Sequence, residues 1–242
     1  MPDPQNATAA PVENGGFVWK VGGTAAEFDL GDGIPDGEVL YIDASQHNVS
    51  DGSTVSTAPD FSGEDNDLSG TSTFRSDGIG GEAAYEFDGV DDVLSRETPA
   101  VPQPLTIITV VEPFTASGRQ SIFSSQDDGG DRAQFTARFD DNEYVMFAGS
   151  AFAGGTPIAE PQVAVLVADG ANSFVRINGS EIASGDIGGH DWGGFKVGQR
   201  FGLSDELEGY QPEVLVENDR LDTSTIEEEE HRLSDKYGIS LE

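Results

Sequence analysis

Acidic side chains gather in loops that could bind a metal ion. Calcium takes about six to eight oxygen ligands, mostly carboxylates and carbonyls supplied by a turn. The predicted ligands are Asp65 and Asp67, then Asp127, Asp128 and Asp131, then Asp140 and Asp141, with a further cluster at Asp88, Asp91 and Asp92. The first loop reads DNDLSG and resembles the opening of an EF-hand loop, but Ser76 stands where the bidentate Glu is required. We predict at most one or two calcium sites, against the alternative of a solvated acidic surface or Asx turns.

Carboxylate pairs suited to cleaving a glycosidic bond are harder to find. Glycosidases place two carboxylates roughly 5–9 Å apart. Glu206 and Glu208 alternate but precede the last predicted strand, whereas Glu213 and Glu217 share a face at too wide a spacing. The sequence also lacks the motifs of serine hydrolases, P-loop NTPases and zinc peptidases, and it contains no cysteine. We therefore predict that the protein is not an enzyme.

Aromatic side chains offer another route to a ligand, because sugar rings stack on exposed faces of Trp and Tyr, whose polar atoms can stay in water. The candidates for glycan binding are Trp192, Tyr144 and Tyr210. Trp192 lies between glycine pairs in GGHDWGG, so a loop could present its ring to solvent. The same ring could equally close the end of a core.

Net charge sets this chain apart from ordinary proteins. It has 45 acidic and 12 basic residues, a formal charge of −33. Such charge opposes compaction by self-repulsion, and multimolar salt removes most of that repulsion by shortening the Debye length to ~3 Å or less. We interpret the protein as halophilic, the alternative being an acidic surface protein from ordinary salt. Nucleic-acid binding is excluded because the chain has no cluster of Lys and Arg, and anionic membranes would repel it.

Short apolar runs between turn residues predict strands that position these side chains. The runs are VLYIDA, AAYEF, PLTIITVVEP, RQSIFSS, RAQFTARF, EYVMFA, QVAVLVA, SFVRIN, SEIAS, GFKVGQ and PEVLVEN. PLTIITVVEP is bulky on both faces, which indicates an inner strand, whereas QFTARF alternates and predicts a half-buried one. Asn178-Gly179 predicts a type I′ hairpin turn.

One helix is predicted over residues 223–237. Asp222, Thr223 or Ser224 can serve as its N-cap, and Gly238 suits its C-terminal end. Ile226, Leu233 and Tyr237 fall close to one face, which predicts that the helix packs against the sheet.

Several segments resemble the laminin-G-like and concanavalin A-like jelly rolls. VLYIDAS, DFSGEDNDLSG, EFDGVDD, VADGANSFVRINGS and the final strand–helix unit follow the order that is typical of this family. Similar domains occur in bacterial surface proteins and in structural proteins of phages and archaeal viruses. The resemblance implies an all-β fold, an antiparallel two-sheet β-sandwich with one short C-terminal helix, calcium in loops, and sugar or protein ligands. It implies no particular activity.

The leading hypothesis combines these observations. Residues 1–37 are predicted to form an N-terminal arm and anchoring segment, and residues 38–242 the sandwich. No run approaches ~18 apolar residues, and the N-terminus lacks the basic and apolar regions of a secretory signal. We therefore expect a non-enzymatic virion surface protein of a halophilic virus (turret, fibre, decoration or tail component), synthesised in the cytoplasm without a signal peptide. Its expected partners are other virion proteins through the arm, further copies of itself and host surface glycans, without nucleic acid or membrane insertion.

Two alternatives stay open. The chain could be a cellular or secreted carbohydrate-binding module, or, less favoured, a glycoside hydrolase. Binding of one sugar in high salt would distinguish the first alternative, and release of reducing ends from polysaccharides would distinguish the second.

Overall fold

The computed structural model describes residues 9–11, 17–19, 38–126, 129–200 and 205–242. The chain divides into two units, Met1–Asp36 and Gly37–Glu242. In the first unit, Ala9–Pro11 (β1) pairs antiparallel with Phe17–Trp19 (β2). Six residues of the predicted N-terminal arm, 1–37, therefore form a short strand pair, and the rest of the arm lies outside the described residues.

The described part of the second unit is all-β with one α-helix at its C-terminal end, as the sequence predicts. Its elements are β3 (Glu38–Asp43), β4 (Thr54–Ala58), β5 (Leu68–Arg75), β6 (Ala84–Asp88), β7 (Val93–Arg96), β8 (Leu105–Pro113), β9 (Arg119–Ser124), β10 (Gln134–Arg138), β11 (Glu143–Phe147), β12 (Ala151–Gly154), β13 (Gln162–Ala168), β14 (Ser173–Ile177), β15 (Ser180–Gly185), β16 (Phe195–Val197), β17 (Glu208–Glu217) and α1 (Thr223–Tyr237). Every pairing of these strands is antiparallel.

The strands form one nearly closed, barrel-like sheet. Their hydrogen-bonded order is β12-β11-β10-β9-β16-β7-β5-β6-β17-β8-β13-β14-β15, with β3 on β17 and β4 on β5. The two ends of this path lie against each other: a Cβ added at Gly154 of β12 would lie 2.9 Å from the Cβ of Ala183 in β15. The hydrogen-bonded strands thus form one continuous sheet. They do not separate into the two sheets that the sequence predicts.

Strand β8 is an inner strand, as predicted. It lies between β17 and β13 and is buried at every position except Glu112. Its side chains alternate between the two faces of the sheet. Ile107 and Val111 belong to the main core. Ile108 and Val110 are also buried, on the other face, where α1 packs against β13.

The helix has the predicted bounds, and its caps explain them. Asp222 is the N-cap, since its side chain accepts a hydrogen bond from the backbone N–H of Thr225. Gly238 ends the helix in the left-handed region at φ +67°, which glycine adopts without a steric penalty. Ile226, Leu233 and Tyr237 are buried, so the predicted apolar face is confirmed. No helix among the described residues is long and apolar enough to cross a membrane.

Buried ion pairs also fix α1 to the sheet, which the sequence pattern did not indicate. Glu213 of β17 is 1% exposed and accepts hydrogen bonds from Arg232, from Lys236 Nζ at 2.8 Å and from the Tyr237 hydroxyl at 3.0 Å. Lys236 Nζ also lies 2.9 Å from Asp43 Oδ2 on β3. These contacts join the last turns of the helix to two neighbouring strands.

A second ion pair holds the middle of the helix against the same face of the sheet, at β14. Arg176 of β14 donates two hydrogen bonds to Glu230, at 3.0 and 2.9 Å, and Glu230 is 1% exposed. Such a bidentate pair fixes geometry as well as contributing energy. The helix is therefore tied at two positions, on β14 and on β17.

Candidate functional site

A pocket of about 330 Å³ opens where three segments of the chain meet. These are the turn between β6 and β7, the loop between β8 and β9 with the start of β9, and the residues that lead into β17. The residues that line the pocket are Gly89, Thr115, Ser117, Arg119, Gln120, Asp205, Glu206 and Glu208. Its walls are almost entirely polar, and they include three carboxylates and one guanidinium group.

Hydrogen bonds between the segments hold the pocket in shape. The Phe114 N–H donates to the Glu208 carbonyl at 2.7 Å, and the Glu208 N–H donates to Gln120 Oε1 at 3.2 Å. Gln120 is buried and donates through Nε2 to the Thr115 carbonyl at 2.8 Å. These bonds join the loop after β8 to the start of β17, and Glu208 is also the strand partner of Asp88, where the turn between β6 and β7 begins.

The charged groups of the pocket already have protein partners but keep capacity for a ligand. Glu208 Oε2 accepts a hydrogen bond from Thr115 Oγ1 at 3.1 Å. Arg119 pairs with Asp141 at 3.1 Å, and its side chain is 43% exposed. A guanidinium group has five N–H donors and a carboxylate about four acceptor positions, so both can bind further polar groups. The pocket can donate to and accept from hydroxyl groups at the same time.

An aromatic pair lies close in the chain to two lining residues of the pocket, Thr115 and Glu208. The ring of Phe114 meets the ring of Tyr210 edge to face, with centroids 4.6 Å apart. Phe114 is 43% exposed and Tyr210 is half-buried, and burial raises the pKa of the Tyr210 hydroxyl. Tyr210 lies two residues after Glu208 on β17, so both side chains are on one face of that strand. Of the three predicted glycan-binding aromatics, Tyr210 is the one that is partly exposed and follows a lining residue of the pocket on the same strand.

The other two predicted glycan-binding aromatics are in the core, so that prediction is wrong for Trp192 and Tyr144. Trp192 is 1% exposed, its ring lies 5.8 Å from that of Phe123, and its backbone forms a bridge with Val101. Tyr144 is also 1% exposed and donates to Gln162 Oε1 at 2.6 Å, and burial raises its pKa to about 12. Neither ring has a face open to a sugar.

The first predicted calcium loop has a structural role at the edge of β3. Asp60 Oδ1 accepts a hydrogen bond from the backbone N–H of Tyr41 at 2.9 Å, and Asn66 donates to the Val39 carbonyl at 2.8 Å. Asp67 accepts from the Asp60 N–H at 2.8 Å, whereas Asp65 is exposed with φ +57°. The loop thus satisfies backbone groups of β3, which pairs with β17 alone.

The remaining predicted calcium ligands are dispersed. Asp140 Oδ1 accepts from the Gly118 N–H at 3.1 Å, and Asp141 pairs with Arg119. The backbone carbonyl of Asp131 accepts from Gly193, and Asp127 and Asp128 lie outside the described residues.

In the part of the chain that the structure describes, the carboxylates that come together are those of the fourth cluster. Oxygens of Asp88, Asp91 and Asp92 lie within 4.8 Å of one another in the turn that contributes Gly89 to the pocket. Backbone N–H groups, first that of Val90, lower the pKa of Asp88, whereas burial and the charge of Asp88 raise the pKa of Asp92. The calcium prediction stays a prediction.

Strand β10 is buried on both faces, which corrects the prediction of a half-buried strand. Phe135 and Ala137 belong to the main core as expected, but Gln134 and Thr136 are also only 4% and 0% exposed. The hydroxyl groups of Thr136 and of its cross-strand partner Ser121 are buried without a hydrogen-bond partner in the described structure. Each such group costs about 1–3 kcal/mol.

Gln134 also belongs to a row of polar side chains that crosses four strands and that the sequence did not predict. Cross-strand partners share a face of a sheet, and this face is opposite to that of the main core. The row across β7, β16, β9 and β10 is Ser95, Lys196, Ser124 and Gln134. Because members of the row lie far apart in the chain, only the register of the strands reveals it.

Comparisons with known proteins find likeness in structure alone. No model of a known family matches the chain, and no curated protein matches it. A sialidase from Trypanosoma rangeli in complex with sialic acid superposes with a TM-score of 0.62 at 16% identity, over 86% of this chain and 35% of that one. The chain thus spans about a third of that sialidase.

Two smaller solved structures are also similar. Domain 4 of AbnA, a GH43 extracellular arabinanase from Geobacillus stearothermophilus, in complex with arabinotriose, has a TM-score of 0.60 at 16% identity, over 79% of this chain and 97% of that one. The binding domain of Paraclostridial Mosquitocidal Protein 1 has a TM-score of 0.60 at 13% identity, over 82% of this chain and 52% of that one. At these identities the likeness shows the fold alone.

Proposed function

We propose that the chain is a non-enzymatic glycan-binding domain whose binding site is the pocket at Arg119 and Glu208. The observation that carries the proposal is the pocket itself, where donor and acceptor groups converge, and the exposed Phe114 directly precedes the lining residue Thr115. Sugar hydroxyls need both kinds of group, and an aromatic edge or face covers the apolar side of a sugar ring. The structural likeness to a whole domain solved with arabinotriose supports the proposal, because it spans 97% of that domain.

A more specific hypothesis is that this glycan-binding domain lies on the outside of a halophilic virus. It rests on the charge of −33 and on the resemblance to laminin-G-like and concanavalin A-like sandwiches of viral structural proteins. On this hypothesis the continuous sheet is a strongly curved two-layer jelly roll, and the first unit contacts neighbouring subunits. Mass spectrometry of particles purified in high salt tests the placement, and finding the chain only as a free cellular protein would contradict it.

The glycan-binding proposal is tested with a matched pair of arginine variants. Arg119→Ala removes a guanidinium group from the pocket, and Arg220→Ala removes one of similar exposure, 40% against 43%, that pairs with Asp169. Arg220 follows the far end of β17, about 30 Å from Glu208 at ~3.3 Å per residue. On a glycan array in high salt, we expect Arg119→Ala to weaken binding about tenfold or more and Arg220→Ala to leave it unchanged. Equal effects of the two variants would place the binding site elsewhere.

A second candidate function is glycan hydrolysis, because Glu206 and Glu208 both line the pocket. Most glycosidases use two carboxylates within one cleft to cleave the glycosidic bond. Incubation with polysaccharides, followed by a reducing-end assay, tests it. Release that is lost in both Glu206→Gln and Glu208→Gln would establish hydrolysis, and no release from glycans that bind would exclude it.

A further inference from the structure

We infer that the pocket binds uncharged glycans and rejects sugars that carry a carboxylate or sulfate. This inference rests on the proposed function and names the class of ligand for the same site. The inference follows from the charges around the pocket. The sialidase structure, which contains sialic acid, would instead suggest an acidic sugar as the ligand.

Negative charge dominates the walls of the pocket. Asp205, Glu206 and Glu208 face it, against Arg119 as the one positive group among the lining residues. Arg119 is already paired with Asp141 at 3.1 Å, so part of its field is neutralised within the protein. An anionic sugar would therefore meet an excess of like charge.

The surroundings add to this excess. The turn that supplies Gly89 also carries the three clustered carboxylates of Asp88, Asp91 and Asp92, two of which are exposed. Arg200 lies 3.2 Å from Asp205 and neutralises part of the charge of that carboxylate, so the excess charge of the walls comes from Glu206 and Glu208. A negative potential of this kind concentrates cations and depletes anions at a cleft.

Uncharged sugars are not repelled, and their hydroxyl groups can donate hydrogen bonds to the carboxylates. An ionised carboxylate only accepts hydrogen bonds, and a sugar hydroxyl can donate one, so Glu206 and Glu208 suit hydroxyl groups. Hydrogen bonds to an ionised acceptor are about twice as strong as neutral ones. A second carboxylate about 4 Å away would instead weaken binding about fivefold with the dielectric constant of water at low ionic strength; salt reduces this factor, and partial burial in the pocket increases it.

The experiment measures binding of probes that differ only in whether their sugar residues carry a charged group. α-1,4-Galactotriose and α-1,4-trigalacturonate, which differ at C6 only, form one such pair on an array of neutral glycans and their acidic counterparts. The wild-type chain and the double variant Glu206→Gln, Glu208→Gln are compared at one fixed salt concentration. Glutamine keeps an acceptor oxygen for Thr115 and removes the charge, and melting temperatures confirm that the variant is folded.

We expect the wild-type chain to bind the neutral member of a pair at least about fivefold more tightly than the acidic member, and the double variant to narrow this ratio. The inference is overturned if acidic glycans bind as tightly as neutral ones and do so in a manner that Arg119→Ala abolishes. That result would leave the proposed function intact. Absence of binding to every glycan on the array overturns the proposed function, and this inference with it.

Discussion

Glu213 is a carboxylate held out of water by three partners from the helix. A buried charge is tolerated only where oppositely charged and hydrogen-bonding groups surround it. Here Arg232, Lys236 and the Tyr237 hydroxyl supply those groups, and Tyr41 adds a fourth contact at 3.2 Å. Burial and the charge of Glu213 raise the pKa of Tyr41 and Tyr237, so both tyrosines stay protonated as donors.

The first prediction concerns this carboxylate. Glu213→Ala removes one of the two carboxylate partners of both Arg232 and Lys236 beneath the helix, and we expect it to lower the free energy of unfolding by about 3–5 kcal/mol. Glu143→Ala is the control, since Glu143 is partly exposed and lies 3.9 Å from Arg138. That variant should cost about 0–1 kcal/mol. Denaturant unfolding at fixed salt measures both, and equal losses would contradict a special role for Glu213.

Asp43 is expected to make a pH-dependent contribution to the free energy of unfolding. Burial alone would raise its pKa, but hydrogen bonds from Lys236 and Ser45 and the charge of Lys236 outweigh burial, so the pKa is lowered from 3.8. A lowered pKa in the folded state contributes stability above the unfolded value, and this stability is lost as pH falls through the folded value. Asp43→Asn should therefore be less stable than wild type at pH 7.

The measurement is the difference in unfolding free energy between wild type and Asp43→Asn from about pH 7 down to about pH 3. We expect a constant difference at neutral pH that shrinks below the unfolded value of 3.8. Glu229 acts in the opposite direction, because burial raises its pKa, but it is present in both proteins and largely cancels. A difference that grows with acid would refute the assignment.

The caps of helix α1 give a prediction for a single element. Asp222→Ala removes the side-chain acceptor for the Thr225 N–H at 2.8 Å and should destabilise the protein by about 1 kcal/mol. Asp235→Ala replaces an exposed acid inside the same helix and serves as the control, with an expected change within about 0.5 kcal/mol. Thermal unfolding compares the two, and an equal loss for both would show that the cap contributes nothing.

The elements differ in how far the sequence predicts them. Helix α1 is predictable because Asp222, Gly238 and the apolar positions between them act locally. Strands β8 and β13 are predictable because they are long and apolar. By contrast, β4, β5, β7 and β12 were not predicted, since stretches such as TVSTA and LSGTSTFR lack a continuous apolar pattern and depend on pairing with neighbours.

The pocket and the buried aromatics depend on contacts that no local pattern contains. Gly89, Thr115 and Glu208 come from segments far apart in the chain, and only the sheet brings them together. Trp192 is buried for the same reason, because pairing with Val101 turns a glycine-rich loop inward. The alternation of Glu206 and Glu208 is visible in the sequence. No local pattern indicates that Arg119 and Gln120 lie beside them.

For the molecule as a whole, the main prediction is dependence on salt. A charge of −33 repels itself most strongly when the ionic strength is low. We expect the melting temperature to rise with KCl concentration, and the fold to loosen below about 0.5 M, where the Debye length is longer. Buried pairs such as Arg176–Glu230 are screened much less, so Arg176→Ala should lower the melting temperature at every salt concentration. A wild-type melting temperature that is the same from about 0.2 to 3 M would contradict the interpretation of the charge.

The closure of the sheet bears on how copies of this protein would stay apart where salt screens their charge. An uncovered strand border invites addition of a strand from another molecule, and many proteins discourage this with charge. Where dissolved ions mask that charge, the barrier must be steric. Packing of β12 against β15 leaves no room for an incoming chain at either terminus of the path, and Asp60 and Asn66 occupy backbone groups along β3. At these strand borders, contacts within the protein therefore oppose the addition of another chain whatever the salt concentration.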